Sequence, residues 1–564
     1  MTKNEKTDPI TVEVIRNSLE SAVAETGVTI TKLAHSLIFA ECKDFSVAIF
    51  TADAELLALA QYIAAHQGGM KTNIDAVLRI IGKENLFPGD VVMTNDPYLG
   101  GLHSQDLMLI MPLFNKGQLI AFTGCVAHRT DMGGMTPGSF CPGATEIYQE
   151  AIRFPCIKLV EKGKLREDIM RIYQTNVRLP DDQIADTRAQ LAALKQCEKA
   201  VTRLVDKYGV DVFLASVKQI LDLSERRARI EVEKIPDGVY TYTDYTEHDG
   251  ITDRDWKIQV AVEIKGSDIF VDFTGTDEQA AGFINCAPYL TIPKTWQALM
   301  YWVDPDIPKN QGLYRPFKKI YAPKGTIVNP NYPAPVSGCP CDSGGIILDA
   351  VLSALTKASP ERGWATWSMA AAGVSFVGIH PETGKRFIYV NLDGLGSGGG
   401  ARPFADGWLA SHVESSNMRI PSVEITEKHI PIRYIRRELV TDNGGDGKFR
   451  GGPGLVCEYE ILSPMVMNVW LLRQRHPAPG AAGGLAGGPC YASVTIDGQE
   501  KKLPQKAVGV SLKAGDRLTL CNYGGGGYGN PKDRDPQMIK NDLREGLISL
   551  EKARKVYGFS EEIE

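Results

Sequence analysis

After a polar opening, apolar side chains at Val12, Ile15, Leu19, Ala22 and Val23 recur three and four positions apart, the spacing of one helix face. Asp8 can cap such a helix and Pro9 suits its first turn, so a helix is predicted to open the chain. The period then changes. Two short apolar runs at 46–50 and 56–59, separated by Thr51-Ala52-Asp53-Ala54, predict a hairpin turning at Asp53. A helix is expected over 72–81, followed by apolar strands at 91–94, 107–112 and 119–126. The clearest helical block covers 180–233, where Ile184, Leu191, Leu194, Val201 and Leu204 form one apolar face and Val217, Ile220 and Leu221 continue another. Pro236-Asp237-Gly238 breaks it. Strict alternation at Ile258, Val260, Val262 and Ile264, a turn at Gly266-Ser267-Asp268, and Ile269, Val271, Phe273 predict a second hairpin. Helical character returns over 344–356 and 366–372, residues beyond 430 read as mostly β, and a last helix is expected over 536–556.

This succession predicts an α+β chain, with a large mixed α/β N-terminal part followed by a β-rich, glycine-rich C-terminal part. The expected divisions are an α/β domain at 1–235 with a helical segment from 180 to 235, a mixed middle domain at 236–430, and a β-rich domain with a terminal helix at 431–564.

Composition narrows the function classes. The chain has 564 residues, 43% hydrophobic and 23% charged, with a net charge of −6. That balance leaves no basic footprint for nucleic acid. The longest apolar stretch, 107–114, is far short of the roughly 20 residues of a bilayer span, and the start lacks the apolar core of a signal peptide. Eleven cysteines, odd in number and irregularly spaced, point to reduced thiols and a cytoplasmic protein; only Cys339-Pro340-Cys341 is closely spaced. Glycine is the skewed residue. Of 56 glycines, 25 fall in the 136 residues from Gly394 to Gly529, without a fixed period, which leaves either turn-rich β structure or loops that approach a ligand.

Three segments beside predicted strands collect the metal-competent side chains: Glu41-Cys42-Lys43-Asp44-Phe45-Ser46, His103-Ser104-Gln105-Asp106 and His128-Arg129-Thr130-Asp131. Two imidazoles with one or two carboxylates suit Mn, Fe or Zn with open positions, better than a closed structural zinc. Spacing alone does not decide the matter, because His-x-x-Asp recurs by chance. No G-x-S-x-G elbow is present for a serine nucleophile. Nucleotide motifs fail too: Gly444-Gly445-Asp446-Gly447-Lys448 lacks P-loop spacing, and the G-x-G-x-x-G at 394–399 runs into Pro403 where a dinucleotide helix should continue.

Ordered motifs along almost the whole chain resemble the hydantoinase B/oxoprolinase family. They are Glu41-x-x-Asp44-Phe45-Ser46-x-Ala48, His66-Gln67-Gly68-Gly69-Met70, Asn95-Asp96-Pro97-Tyr98-x-Gly100-Gly101-x-His103-x-x-Asp106, and His128-x-x-Asp131-x-Gly133-Gly134. Gly398-Gly399-Gly400-Ala401-Arg402, Asp442-x-Gly444-Gly445-x-Gly447-x-x-Arg450-Gly451-Gly452 and Gly524-Gly525-Gly526-Gly527-Tyr528-Gly529 extend the match. The resemblance implies one divalent metal ion (Mn, Zn or Fe) on Asp44, His103, Asp106 and His128, with Glu41 able to replace or supplement Asp44. It leaves His66 and Asp131 for proton transfer or ligand orientation, a turn cap being the equal alternative for Asp131. It also implies a larger hydantoinase A-type partner that binds ATP and Mg, in an α2β2 heterotetramer. That partner would phosphorylate a small cyclic amide for hydrolysis on the metal subunit. A subunit of an ATP-dependent ketone carboxylase and a non-catalytic scaffold are the alternatives; no nucleic acid and no membrane are expected.

Overall fold

The computed structural model describes residues 7–60, 62–367, 372–411 and 416–560. Helix α1 (Pro9–Leu33) begins as the sequence predicts: the Asp8 carboxylate accepts the Thr11 amide at 3.0 Å and Pro9 occupies the first turn. A short α2 (Leu37–Ala40) leads into β1 (Phe45–Thr51) and β2 (Leu56–Leu59), the expected hairpin. Next come α3 (His66–Ile80), β3 (Val91–Thr94), β4 (Asp106–Asn115), β5 (Gln118–His128), β6 (Ile157–Glu161) and β7 (Lys164–Leu165). The strands form one sheet in the order β2-β1-β5-β4-β3-β6-β7, antiparallel throughout.

Both faces of this sheet are covered. Phe45, Val47, Ile49, Leu107 and Leu109 pack on one side against α1 and the helices that follow α4 (Glu167–Thr175), namely α5 (Pro180–Tyr208) and α6 (Val210–Val232). Ala48, Phe50, Met108, Ile110 and Phe122 point the other way, against Met70, Ile74 and Val77 of α3. Two-sided burial is why these strands read as continuous apolar runs rather than as alternating ones.

Helix α3 begins six residues before the predicted start. Gly68-Gly69 looks like a helix breaker, yet both glycines are helical because neighbours leave no room for a side chain. A Cβ on Gly69 would lie 2.1 Å from Leu102 Cδ2, and one on Gly68 would lie 2.7 Å from Pro293 Cβ and 2.9 Å from its Cα. The early start places His66 in the first turn.

Past residue 236 the predicted hairpin appears within a second sheet, built from β8 (Gly238–Glu247), β9 (Asp255–Lys265), β10 (Asp268–Asp272) and β11 (Phe317–Tyr321) in the order β11-β10-β9-β8. The crossover between the parallel pair β10 and β11 carries α7 (Pro288–Trp302) and α8 (Gln311–Tyr314). Apolar side chains of β9, Ile258, Val260 and Val262, share a buried core with α7 and α9 (Ser343–Ala358).

The last part is a pair of facing sheets. One contains β12 (Ala372–Ile379) and β13 (Arg386–Asn391), and, after α10 (Val423–His429), the other begins with β14 (Ile432–Leu439) and β15 (Leu455–Ile461). The chain then passes between them through β16 (Met465–Leu471), β17 (Tyr491–Ile496), β18 (Gln499–Lys502), β19 (Lys506–Leu512) and β20 (Arg517–Cys521). The orders are β13-β12-β16-β19 and β14-β15-β20-β17-β18, with Phe376, Met467, Tyr459 and Leu518 in a shared core. The register of β12 with β16 runs across residue 430, so strands from before that position complete the β-rich part.

Two local expectations change. Thr366 and Trp367 are not helical and Ala372 opens β12, while 368–371 lie outside the described residues. The terminal helix is two pieces, α11 (Pro536–Arg544) and α12 (Leu550–Lys552) with a π turn through Tyr557. Gly546, at φ +69°, ends α11 and lets Ile548 turn inward to bury against Ile539.

The glycine-rich motifs converge on one another. A Cβ on Gly398 would fall 1.7 Å from the Gly452 carbonyl oxygen, one on Gly451 1.9 Å from that of Gly525, and one on Gly525 2.2 Å from that of Gly399. The amides of Gly452, Gly525 and Gly445 donate in turn to the carbonyls of Gly399, Gly452 and Gly525. None of these glycines has positive φ. They are required for backbone-to-backbone contact rather than for turns.

The α3–α7 contact makes a signed prediction. Alanine is favoured over glycine in a helix interior by about 1 kcal/mol, but Gly68→Ala must displace Pro293, and overpacking costs about 1–3 kcal/mol. Urea denaturation of Gly68→Ala should show a lower midpoint than the parent; a higher midpoint would refute the close contact.

Candidate metal centre

Strand register assembles the donor set. Asp106 opens β4 and lies directly opposite His128, the last residue of β5. Phe45 of β1 pairs with Ala127 of β5, and the His128 amide donates to the Asp44 carbonyl at 3.0 Å. In the antiparallel run β1-β5-β4, the start of β1, the end of β5 and the start of β4 therefore meet at one end of the strands. His103, three residues before β4, folds back over them.

Asp106 is the hub. Its Oδ1 lies 3.1 Å from His103 Nε2 and 3.3 Å from His128 Nδ1, and its Oδ2 lies 3.4 Å from His66 Nε2. His103 Nε2 and His128 Nδ1 are 3.2 Å apart. Asp106 and all three imidazoles are at most 5% exposed. Burial opposes ionisation of Asp106, but His103 and His66 outweigh it and hold the carboxyl well below the usual carboxylate range. Asp44 also lines the cavity, and burial pushes its carboxyl up. Glu41 does not line it.

Further contacts orient these side chains. His103 Nδ1 lies 3.1 Å from the Ser337 carbonyl oxygen. A carbonyl only accepts, so Nδ1 carries a hydrogen, and Nε2 is the ring atom turned toward Asp106 Oδ1. The segment bearing Ser337 is anchored by buried Glu150, whose carboxylate accepts the Val336 and Ser337 amides at 2.9 and 2.7 Å. Burial raises the Glu150 carboxyl to about 7. His66 Nδ1 lies 3.2 Å from Ser46 Oγ on β1. Phe140 covers both His103 and His128, at centroid distances of 5.9 and 5.7 Å, and stacks on Trp470 of β16 at 4.7 Å.

His66, Asp44, His103, Asp106 and His128 thus come together around a cavity of about 90 Å³, closed by Leu290 and Cys341 of the middle part and by Val390, Asn391 and Trp470 of the β-rich part. Asp131 does not join them. Its fully buried carboxylate accepts the Gly133, Gly138 and Arg178 amides and pairs with the Arg178 guanidinium at 2.9 Å, which shapes the loop after β5. The turn-capping alternative is the one its contacts match. Ser337, Glu150, Phe140 and Trp470 escape sequence reasoning, because nothing local links them to the histidines.

The donors fit a cation. Nε2 of His103, Nδ1 of His128 and a carboxylate oxygen of Asp106 lie within 4.8 Å of one another, so lone pairs converge on a point that only a proton or a metal ion relieves. The nucleotide-like glycine runs lie elsewhere, and the one at 394–399 follows a 3₁₀ turn (Leu392–Leu395) with no helix behind it. No helix among the described residues is long and apolar enough to cross a membrane.

Known proteins resemble this chain along nearly its whole length. The β subunit of caprolactamase from Pseudomonas jessenii is 34% identical over 560 residues, covering 98% of this chain and 96% of that one. The crystal structure of the ATP-dependent caprolactamase from the same organism superposes with a TM-score of 0.91 over 98% of this chain and 97% of that chain, at 32% identity. 5-Oxoprolinase 1 of Arabidopsis thaliana is 28% identical over 93% of this chain but only 42% of its own length. A nucleotide-free structure of acetone carboxylase, 20% identical, shares the fold with a TM-score of 0.89 over 99% of this chain and 80% of that one. The hydantoinase B/oxoprolinase profile matches residues 8–531, and the chain belongs to that family.

Proposed function

We propose that this chain is the metal-bearing subunit of an ATP-dependent cyclic-amide hydrolase, acting on a ring activated by a larger ATP-binding partner. The observation that carries the reading is the buried His103, Asp106 and His128 set facing a cavity walled by Leu102, Phe140, Leu290 and Trp470. Apolar walls with one polar end suit a small ring that presents a single amide.

The chain carries no nucleotide-binding motif, so ATP and Mg belong to the partner. The likeness to less than half of the Arabidopsis 5-oxoprolinase supports this division, with the partner standing for the remainder; the proposed assembly has two copies of each subunit. Amide resonance and a poor leaving group make the ring resistant; phosphorylation of the amide oxygen by the partner removes the resonance and makes the ring nitrogen basic, so that after water adds the nitrogen leaves as an amine, and a second water releases phosphate and the carboxylate. Asp44, His103, Asp106 and His128 would hold a divalent ion (Mn, Zn or Fe), which supplies Lewis acidity and water activation. His103 is kept in one tautomer by the Ser337 carbonyl. His66, with Nε2 beside Asp106 Oδ2, is placed to orient that carboxylate or to carry a proton. Phe140 and Trp470 shield the donors from bulk water.

Elemental analysis of the purified full chain should find one divalent ion, lost in the His103→Ala, Asp106→Ala double variant. Asp131→Asn should retain the ion while losing about 3 kcal/mol of stability, since it breaks a buried ion pair. Equal metal content in the double variant and the parent would sink the site.

A panel of lactams, hydantoins and 5-oxoproline-type rings, tested on the co-expressed pair, should reveal ring-dependent ATP turnover. Product formation should fall more than about a hundredfold in the double variant, given that changes around a metal's ligands alone reach that range. Stimulation by ketone plus bicarbonate instead would move the chain to the carboxylase branch. Unchanged turnover in the double variant would leave a scaffold.

A further inference from the structure

A second cavity, of about 380 Å³, lies against the first. The two share Ile38 of α2 and Val390 of β13 in their walls, so these two side chains stand between them. The rim of the larger cavity is basic. Lys385 and Arg386 come from the turn and first residue of the β12–β13 hairpin, and Lys428 and His429 from the last turn of α10. His35 and His380 complete the set.

Asp182 is the one acidic residue in this lining, and it faces His35 at 3.4 Å. Lys385, Arg386 and Lys428 have no acidic partner among the described residues, whereas buried Arg473 and Lys506 each face a carboxylate. Three unpaired cations from two separate elements therefore converge on one opening in a chain whose net charge is −6. A concave surface of one sign concentrates ligands of the opposite sign, and the effect weakens with salt.

We infer that this vestibule binds a small oxyanion-bearing molecule and is the route between solvent and the His103, Asp106 and His128 cavity, with Ile38 and Val390 as its inner wall. Which oxyanion passes rests on the proposed function: the phosphoryl group of an activated ring on the way in, or the carboxylate of the opened ring on the way out. Both carry the charge that three cations attract. The affinity of the vestibule for an oxyanion does not depend on that reading.

The first test is calorimetric titration of inorganic phosphate into the metal-stripped full chain. The Lys385→Ala, Arg386→Ala, Lys428→Ala triple variant should bind about tenfold more weakly, the sum of three exposed charge contacts. Lys501→Ala, Lys502→Ala on β18, which line neither cavity, should bind as the parent does. Equal affinity in the triple variant and the parent overturns the vestibule.

The second test uses the assembled pair. If phosphorylated rings enter here, the triple variant consumes more ATP per ring opened, with metal content unchanged. If the carboxylate leaves here, that ratio holds while inhibition by added product weakens. Ring hydrolysis with normal coupling, normal product inhibition and normal phosphate binding in the triple variant removes the vestibule but keeps the proposed function. Weakened phosphate binding in a pair that opens no ring removes the function but keeps the vestibule.

Discussion

One buried carboxylate organises the centre of this molecule. Asp106 sits among three imidazoles at one end of the strands of the seven-stranded sheet, and removing its charge from water is tolerable only because those rings answer it. Each ring is in turn held from a different direction: His128 by the β4–β5 register, His66 by Ser46 of β1, His103 by the Ser337 carbonyl. The last of these ties the N-terminal part to the middle part, and Glu150 reinforces the same junction from the opposite side. Phe140 stacked on Trp470 brings in the β-rich part. All three parts of the chain therefore end at the same few ångströms.

Much of this was legible in the sequence, for reasons that can be named. The strands around the donors announce themselves as apolar runs because both sheet faces are covered, and His103, Asp106 and His128 lie at strand ends, where polar residues stand out. Asp44 and Glu41 share one segment, and only the register separates them, since Asp44 directly precedes β1 and reaches the cavity. Asp131 carries the right chemistry in the right loop, yet its contacts serve Gly133, Gly138 and Arg178; composition cannot show which way a carboxylate turns.

What stayed hidden depends on distance along the chain. Ser337 touches a histidine 234 residues earlier, and no local period encodes such a contact. The start of α3 was obscured because Gly68-Gly69 weakens any helical signal, and its purpose is visible only once Pro293 and Leu102 are seen against it. The basic rim of the outer cavity is likewise assembled from residues some forty positions apart, each unremarkable alone. Its charge is opposite to that of the carboxylates within, and Ile38 and Val390 line both cavities.

The interlocked glycines have a thermodynamic consequence. Where Gly398, Gly451, Gly452 and Gly525 meet, cohesion comes from amide hydrogen bonds and close backbone contact, with almost no apolar side-chain area enclosed. Opening such a region exposes peptide groups instead of hydrocarbon, and exposed peptide lowers the heat capacity where hydrocarbon raises it. The glycine junction therefore contributes a smaller curvature of opposite sign to the stability curve, while the leucine- and valine-rich cores supply its dominant curvature. As temperature falls and apolar burial weakens, the backbone junction is the part whose hold changes least.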